Sequence, residues 1–497
     1  MRSADSTASR PRFRLPGLPG WLVNGVAVIV GGILLGQQYV HPNKRVLPVI
    51  VGLIVSGLAW RVGMVAGLGV LVLALPFPRG TVFGNTNLAL ILILLVIWLL
   101  RISQRQSPAP RKSPFDLPIV GLLIMYMLSF YNVKSSFFLE RGLQNFELFA
   151  GAALMLYMIV NNIRTNQDLE RFHHFVLISA ASIFAVAVYE LNHPASVFIE
   201  GWIDFTSTVG TEFNTRNVRV GSMFHDYELL SEYCAITLLL VGFLLIRAKT
   251  LGRRITYSAL LALNLFVLFT TVTRGAIFAL AVAIPYFLFL TRRRASFVPF
   301  TITAVLVAMS VFAMNFYVAN FTRSGDMFAR LLKTKVVGGW MPDDRAETWQ
   351  NAWGRAMTHP LIGSGPSFAD IPGYQFWWPH NVYLYYANII GFPGLLFFLA
   401  LIGTAFVLTR PQTDDLRHPD YAKACLLICH VQIVVFVIDE VKIDYLRNNI
   451  YLFPVWVMFA MWAATAMIAK QNAEEARRQA IALAPAPMPP PLRAASA

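Results

Sequence analysis

Residues 382–409 and 450–469 contain no Asp, Glu, Lys or Arg. About 20 consecutive apolar residues cross the hydrocarbon core of a bilayer, and uninterrupted runs of that length pair their backbone groups only as helices. Twelve more apolar segments lie near 21–37, 46–60, 62–77, 86–100, 117–133, 143–160, 172–190, 223–246, 255–272, 275–291, 298–318 and 421–438. Of the 497 residues, 56% are hydrophobic and 13% charged, whereas a soluble domain carries about 25% charged residues. A soluble enzyme, a disordered chain and a secreted disulfide scaffold are excluded. The expected fold is all-α: a polytopic transmembrane helical bundle of about 12–14 spans.

Two features leave the span number open. The second and third segments are short and flank Arg61, so they form either two helices or one broken unit. The first follows Arg2, Arg10, Arg12 and Arg14, as in a signal peptide, but no small-x-small cleavage site follows Gly36. We read it as a retained helix.

The net charge of +15, from 41 Lys and Arg against 26 Asp and Glu, would suggest nucleic acid in a soluble protein. In a membrane protein its distribution matters more. With the N-terminus inside, 25 of the 41 basic residues fall on cytoplasmic segments and 16 outside, six of these in one long loop. Arg247, Lys249, Arg253, Arg254 and the arginines at 292–294 anchor the inside. No aromatic-interleaved basic patch remains outside, so no nucleic-acid partner is expected; membrane lipid is. The organisation read from this is a basic cytoplasmic tail (1–20), N-terminal transmembrane helices (21–318), a long periplasmic loop (319–379), C-terminal transmembrane helices (380–469) and a cytoplasmic Pro/Ala-rich tail (470–497).

A second large outer loop covers 191–222, and loops of such length are usually functional or structured. In the longer one, Asp343-Asp344 precede a segment in which Trp349, Trp353 and Met357 recur every four residues. That pattern predicts a capped amphipathic helix, lying at the interface or packed on the bundle. We read the two acids as a helix cap and not as metal ligands, because no ligand cluster accompanies them. Cys234, Cys425 and Cys429 all lie in apolar runs and suggest packing, not a disulfide framework.

Trp377-Trp378-Pro379-His380-Asn381 leads from the long loop into the 382–409 run. A neutral imidazole, with an ordinary pKa of about 6.5, can accept a proton from a hydroxyl; an interfacial anchor is the plainer reading of His380. Helical spacing puts Tyr383 and Leu384 on one face, with Ala387 and Asn388 deeper. Arg219 and Arg274 stand at two outer helix mouths, where they either clamp an anion such as a diphosphate or snorkel to the interface. Glu228 and Glu232 enter the membrane four residues apart, to orient an acceptor sugar or to pair with Arg219 or Arg274. Glu147 sits deeper in its span and needs a partner. The segment 359–368, with Gly363 and Gly365, is a tight turn or a weak anion nest.

These residues resemble the O-antigen ligase and polymerase superfamily (the Wzy_C type). His380-Asn381, nine residues and Gly391 match its helix-opening pattern; Arg345, Trp349, His359-Pro360, Gly363 and Gly365 resemble its loop consensus. Thr273-Arg274-Gly275-Ala276 and Arg219-Val220-Gly221-Ser222-Met223-Phe224 resemble two further motifs, in the same order. The resemblance implies sugar transfer at the periplasmic face of the bacterial inner membrane, from an undecaprenyl-diphosphate-linked glycan to an acceptor glycan or lipid A–core, without metal or other cofactor. It makes His380 the base and Arg219 and Arg274 the diphosphate ligands, with Asn381, Tyr383, Glu228 and Arg345 supporting or on the acceptor side. His225-Asp226-Tyr227-Glu228 departs from the Pro-Asn pair of many members. That variant and the chain length lean toward a surface polysaccharide polymerase over a lipid A–core ligase. The rival outside this class is a flippase or transporter of polysaccharide or carrier lipid, which would favour short loops and an internal repeat.

Overall fold

The computed structural model describes residues 46–77, 80–81, 84–194, 196–199, 203–204, 218–291, 297–322, 324–332, 336–337, 341–342, 345–366 and 378–483. The expected first span with its basic tail, the 292–294 anchor, Asp343-Asp344, Trp377 and the tail beyond 483 lie outside the described residues. The chain divides into two compact units, Met1–Ile54 and Val55–Ala497. Of the first, only the start of one helix is described; all the other described elements belong to the second.

In chain order the helices are α1 Val46–Arg61, α2 Met64–Ala74, α3 Thr86–Ser103, α4 Asp116–Ser129, α5 Ser136–Asn162, α6 Asn166–Asn192, α7 Tyr227–Arg247 and α8 Leu251–Thr270. They continue as α9 Arg274–Thr291, α10 Phe297–Phe321, α11 Met327–Leu332, α12 Ala346–Thr358, α13 Val382–Leu408, α14 Tyr421–Asp439 and α15 Leu452–Leu483. Every apolar segment expected from residue 46 onward coincides with a helix. Among the described residues nine are long and apolar enough to cross a membrane, and α1, α2 and α4 are shorter apolar helices. The fold is an all-α polytopic bundle. The segments around Arg61 are two helices broken at Gly63 (φ 135°), and Arg101 of α3 closes the first by donating to the carbonyls of Ala59 and Trp60.

A helix apolar on every side is stable within protein or within lipid. The apolar windows of α7, α14 and α15 are 72, 78 and 83% buried inside the protein, against 22 and 28% for α8 and α9. The first three are therefore the centre of the bundle and the last two its rim. Side-chain hydrogen bonds tie that centre together: Trp462 donates to Gln432 (3.1 Å), which donates to the carbonyl of Ile236 (3.0 Å).

Two expectations change. The tail from 470 is helical as far as Leu483, because Ala, Glu, Gln and Arg there are strong helix formers that extend α15 beyond its apolar run. Glu147 is exposed. α5 begins at Ser136 and not near 143, and Glu147 faces away from the protein core.

The helix that follows His380 is interrupted. Gly391 of α13 has φ 74° and ψ 176°, with Pro393 two residues on. The turn at 359–365 fills the break: Ser364 N and Oγ donate to the Asn388 carbonyl (2.8 and 2.9 Å), Gly365 N to Ile389 O (3.1 Å), and Phe392 N to Pro360 O (2.8 Å). Gly363 (φ 72°) and Gly391 make this approach possible, since a Cβ would stand 2.3 Å from the Ile389 carbon or 2.7 Å from the Leu361 carbon. Its amides serve the broken helix, so of the two readings of this segment the tight turn holds.

Candidate functional site

α7, α9 and α13 begin, and α14 ends, at one end of the bundle, where the 440–451 connection joins them. Asp226 fixes the start of α7 by accepting from the amides of Glu228 (2.8 Å) and Leu229 (3.3 Å). That leaves the Glu228 side chain, 12% exposed, aimed between three other elements. One of its oxygens is held by Arg345 at the head of α12; the other lies 2.9 Å from Arg447 Nη2 and 3.4 Å from His380 Nδ1. Arg447 Nη2 also pairs with Asp226 Oδ2 (2.6 Å), and its Nη1 reaches His380 Nδ1. The imidazole thus has an acceptor and a donor at one nitrogen. Arg447 can only donate and Glu228 only accept, so Nδ1 serves one of them at a time: answering Glu228 it carries the proton and Nε2 keeps its lone pair, and answering Arg447 it leaves the proton on Nε2.

The backbone around His380 is held as firmly. Its φ of 45° is in the left-handed region, as are those of His225 (52°) and Val272 (49°). Such conformations cost about 1–3 kcal/mol each and persist only where the surroundings impose them. Here Arg345 Nη1 donates to the His380 carbonyl (3.3 Å) and Trp349 Nε1 to the Pro379 carbonyl (2.9 Å). Trp349 is buried, whereas Trp353 and Met357 are exposed. The α12 helix is therefore bolted to the bundle by one indole, and does not present all three residues alike.

Val272 in its left-handed turn offers a carbonyl to two arginines. Arg219 donates from Nε to Thr271 O (3.0 Å) and from Nη2 to Val272 O and Thr273 Oγ1 (3.3 Å each), with its guanidinium 3.1 Å above the Tyr227 ring. Arg330 of α11 donates to the same Val272 carbonyl (3.2 Å). Arg274 opens α9. The glycine after it is required by space, because a Cβ on Gly275 would lie 2.4 Å from Asp439 Oδ1.

Between these groups is a cavity of about 160 Å3, whose lining includes Arg219, Arg274, Arg330, Arg345 and Lys442, the carboxylate of Glu228, and His380. Burial and the neighbouring Arg330 bring the Arg219 pKa down to about 10, opposed by Tyr227 and Glu228; it stays cationic at neutral pH. Burial opposes charge on Arg447 as well, but Asp226, Glu228 and Asp444 outweigh it and hold the guanidinium protonated. Burial pushes the Asp444 carboxyl up to about 7, with Arg447 opposing, and Glu440 upward too, helped by Glu232. A cavity with this lining attracts anions and sets an imidazole beside them.

Of the residues singled out in the sequence, Arg219, Arg274, Glu228, Arg345 and His380 meet in this cavity. Asn381 and Tyr383 do not line it. Asn381 caps α13 and donates to Val441 O (3.0 Å), and the Tyr383 hydroxyl donates to Val437 O (2.9 Å). Glu232 points inward and accepts from Tyr451 (3.0 Å). Sequence reasoning missed Arg447, Arg330, Lys442 and the pairing of Asp226. A signal for two of them was present: 439–448 packs Asp439, Glu440, Lys442, Asp444 and Arg447 between two nearly charge-free helices, and charge at a span boundary in so apolar a chain marks function.

No curated protein matches the chain. Residues 258–399 match the family model described as O-antigen ligase (Wzy_C). The stretch contains Arg274, Arg330, Arg345 and His380, while Arg219, Glu228 and Arg447 lie outside it. The match covers 142 of the 497 residues, and over that stretch the chain is similar to the O-antigen ligase family.

Proposed function

We propose that the protein transfers a glycan from undecaprenyl diphosphate to the hydroxyl of an acceptor sugar during surface polysaccharide assembly, at the periplasmic face of the inner membrane. One observation carries this reading: His380, with Glu228 at its Nδ1, shares a cavity with Arg219 and Arg274. In the reactive tautomer Glu228 accepts a hydrogen bond from Nδ1–H, and Nε2 takes the proton of the acceptor hydroxyl as its oxygen attacks the anomeric carbon of the donor. The bond from that carbon to the diphosphate breaks with inversion, and Arg219 and Arg274 stabilise the charge on the departing diphosphate. Arg345 and Arg447 orient Glu228 and hence the imidazole. Diphosphate is already a good leaving group, so positioning and charge neutralisation supply the catalysis.

Within this class we favour a polymerase over a lipid A–core ligase, because Tyr227-Glu228 replaces the Pro-Asn pair of many members. A deletion strain tests both levels. A polymerase leaves single-repeat caps or loses high-molecular-mass exopolysaccharide, a ligase loses all capped lipid A–core, and repeats trapped on the cytoplasmic side indicate a flippase. If well-expressed His380→Ala and Arg274→Ala variants restore glycan of normal amount and length, the transfer reading is wrong.

A further inference from the structure

We propose that Glu190, which does not line the cavity, is a positioning residue: it anchors the tight turn at 219–226 and so sets Arg219 against Glu228. This rests on the reading that the cavity performs glycan transfer.

Glu190 stands in the last turn of α6 and is fully buried. Its Oε2 accepts from the amides of Gly221 (2.9 Å) and Ser222 (2.6 Å). Gly221 has right-handed backbone (φ −110°, ψ −12°) and Ser222 left-handed backbone (φ 50°). Successive residues of that kind turn their N–H groups into one concave nest for an anion. Here the anion is a side chain of the same protein. Burying a carboxylate is costly unless donors answer it, and among the described residues its Oε1 has no hydrogen-bond partner. The carboxylate and the turn therefore hold each other.

The turn needs such a hold. Ser222 and His225 are both left-handed, a conformation that persists only where the surroundings impose it. A Cβ on Gly221 would lie 2.4 Å from the Asp226 amide, so the chain is folded as closely as glycine allows. Val220 N reaches Thr270 O (3.4 Å) on one side of the turn, and Asn448 Nδ2 donates to Phe224 O (2.5 Å) on the other. Glu190 holds the middle, helped by Ser222 Oγ, which donates to Ile183 O of the same helix (2.6 Å). Folded this way, the turn lays the Arg219 guanidinium 3.1 Å above the Tyr227 ring and lets Asp226 cap α7 at the Glu228 amide. Arg219 and Glu228, on either side of the turn in the chain, then reach one cavity. Misplacing such a group by about 1 Å costs up to about 100-fold in rate.

The test uses the purified full chain in detergent with carrier-linked donor, and hydrogen–deuterium exchange read by mass spectrometry on the same preparations. Glu190→Ala removes the acceptor, whereas Glu190→Gln keeps an oxygen for the two amides. The Ala variant lowers kcat by about 10- to 100-fold with the donor KM little changed. The Gln variant loses less, and faster exchange is confined to peptides covering 218–229. In an Arg219→Lys background, Glu190→Gln lowers kcat by a smaller factor than in the wild-type background, because part of its effect passes through Arg219. A purely structural role gives the same factor in both backgrounds and faster exchange across the bundle. If the Ala variant does not fold, the Gln variant carries the same comparisons. Wild-type kcat in both folded variants, the same factor in both backgrounds, or unchanged exchange at 218–229 overturns the proposal. If exchange rises there but the wild type transfers no glycan, the anchor stands and the transfer reading fails. If the wild type transfers glycan and both variants keep its kcat, the positioning role alone fails.

Discussion

Nδ1 of His380 and Oε2 of Glu228 lie 3.4 Å apart, joining the head of the broken helix α13 to the first turn of α7. Where Nδ1–H donates to this carboxylate, Nε2 is left able to accept a proton, and the carboxylate stabilises the imidazolium that results. Glu228→Gln keeps the shape and removes the charge. Its kcat should fall about 10²- to 10⁴-fold with the donor KM little changed. An equal rise in KM would show instead that Glu228 acts on binding.

His380→Ala should abolish measurable glycan transfer while pyrophosphate affinity stays within about twofold of wild type, because the anion ligands belong to other residues. Calorimetry on the same preparation used for the transfer assay checks both. Loss of anion binding would mean that the imidazole supports the cavity, not the chemistry.

Gly391→Ala should lower Tm and the folded yield. It places a Cβ 2.7 Å from the Leu361 carbon and forces a non-glycine residue into φ 74°, ψ 176°, about 1–3 kcal/mol of strain before the clash. Gly403, on the same helix with nothing within 4 Å of where a Cβ would stand, is the control. Gly403→Ala should be neutral or stabilising.

The helices were legible because each apolar run is long enough to leave one solution for its backbone, and His380, Arg219 and Arg274 stood out as polar residues at the ends of such runs. Arg447 did not. Its importance comes from Asp226 and Glu228, more than two hundred residues earlier in the chain, and no local pattern encodes a pairing made by helix packing. Tyr383 shows the converse: helical spacing placed it on a promising face, yet its hydroxyl turns to the Val437 carbonyl of α14. The segment 359–368 read as a tight turn or an anion nest, and its docking on the interruption at Gly391 stayed hidden because that contact is tertiary.

Stability should carry a pH signature from Asp444. Burial raises its carboxyl from 3.8 to about 7, so folding favours the neutral form. That contribution is full below about pH 4 and is lost as pH rises through about 7. Asp444→Asn removes the ionisation. Its Tm relative to wild type should therefore climb between pH 4 and pH 8, as read by thermal unfolding in detergent. A difference that stays flat across this range would show that the carboxyl ionises freely in the folded protein.

The interruption at Gly391 divides α13 into a membrane rod and a nine-residue head, and the head is keyed to the 359–365 turn mainly through backbone hydrogen bonds, with the Ser364 hydroxyl as the one side-chain donor among those recorded. Main-chain pairing tolerates side-chain drift but not a change of spacing. The long loop and the head of α13 therefore behave as one transplantable cassette. Exchanging the loop between relatives while leaving the helix head behind would break the joint, whereas moving both across the Gly391 boundary would carry His380 along intact.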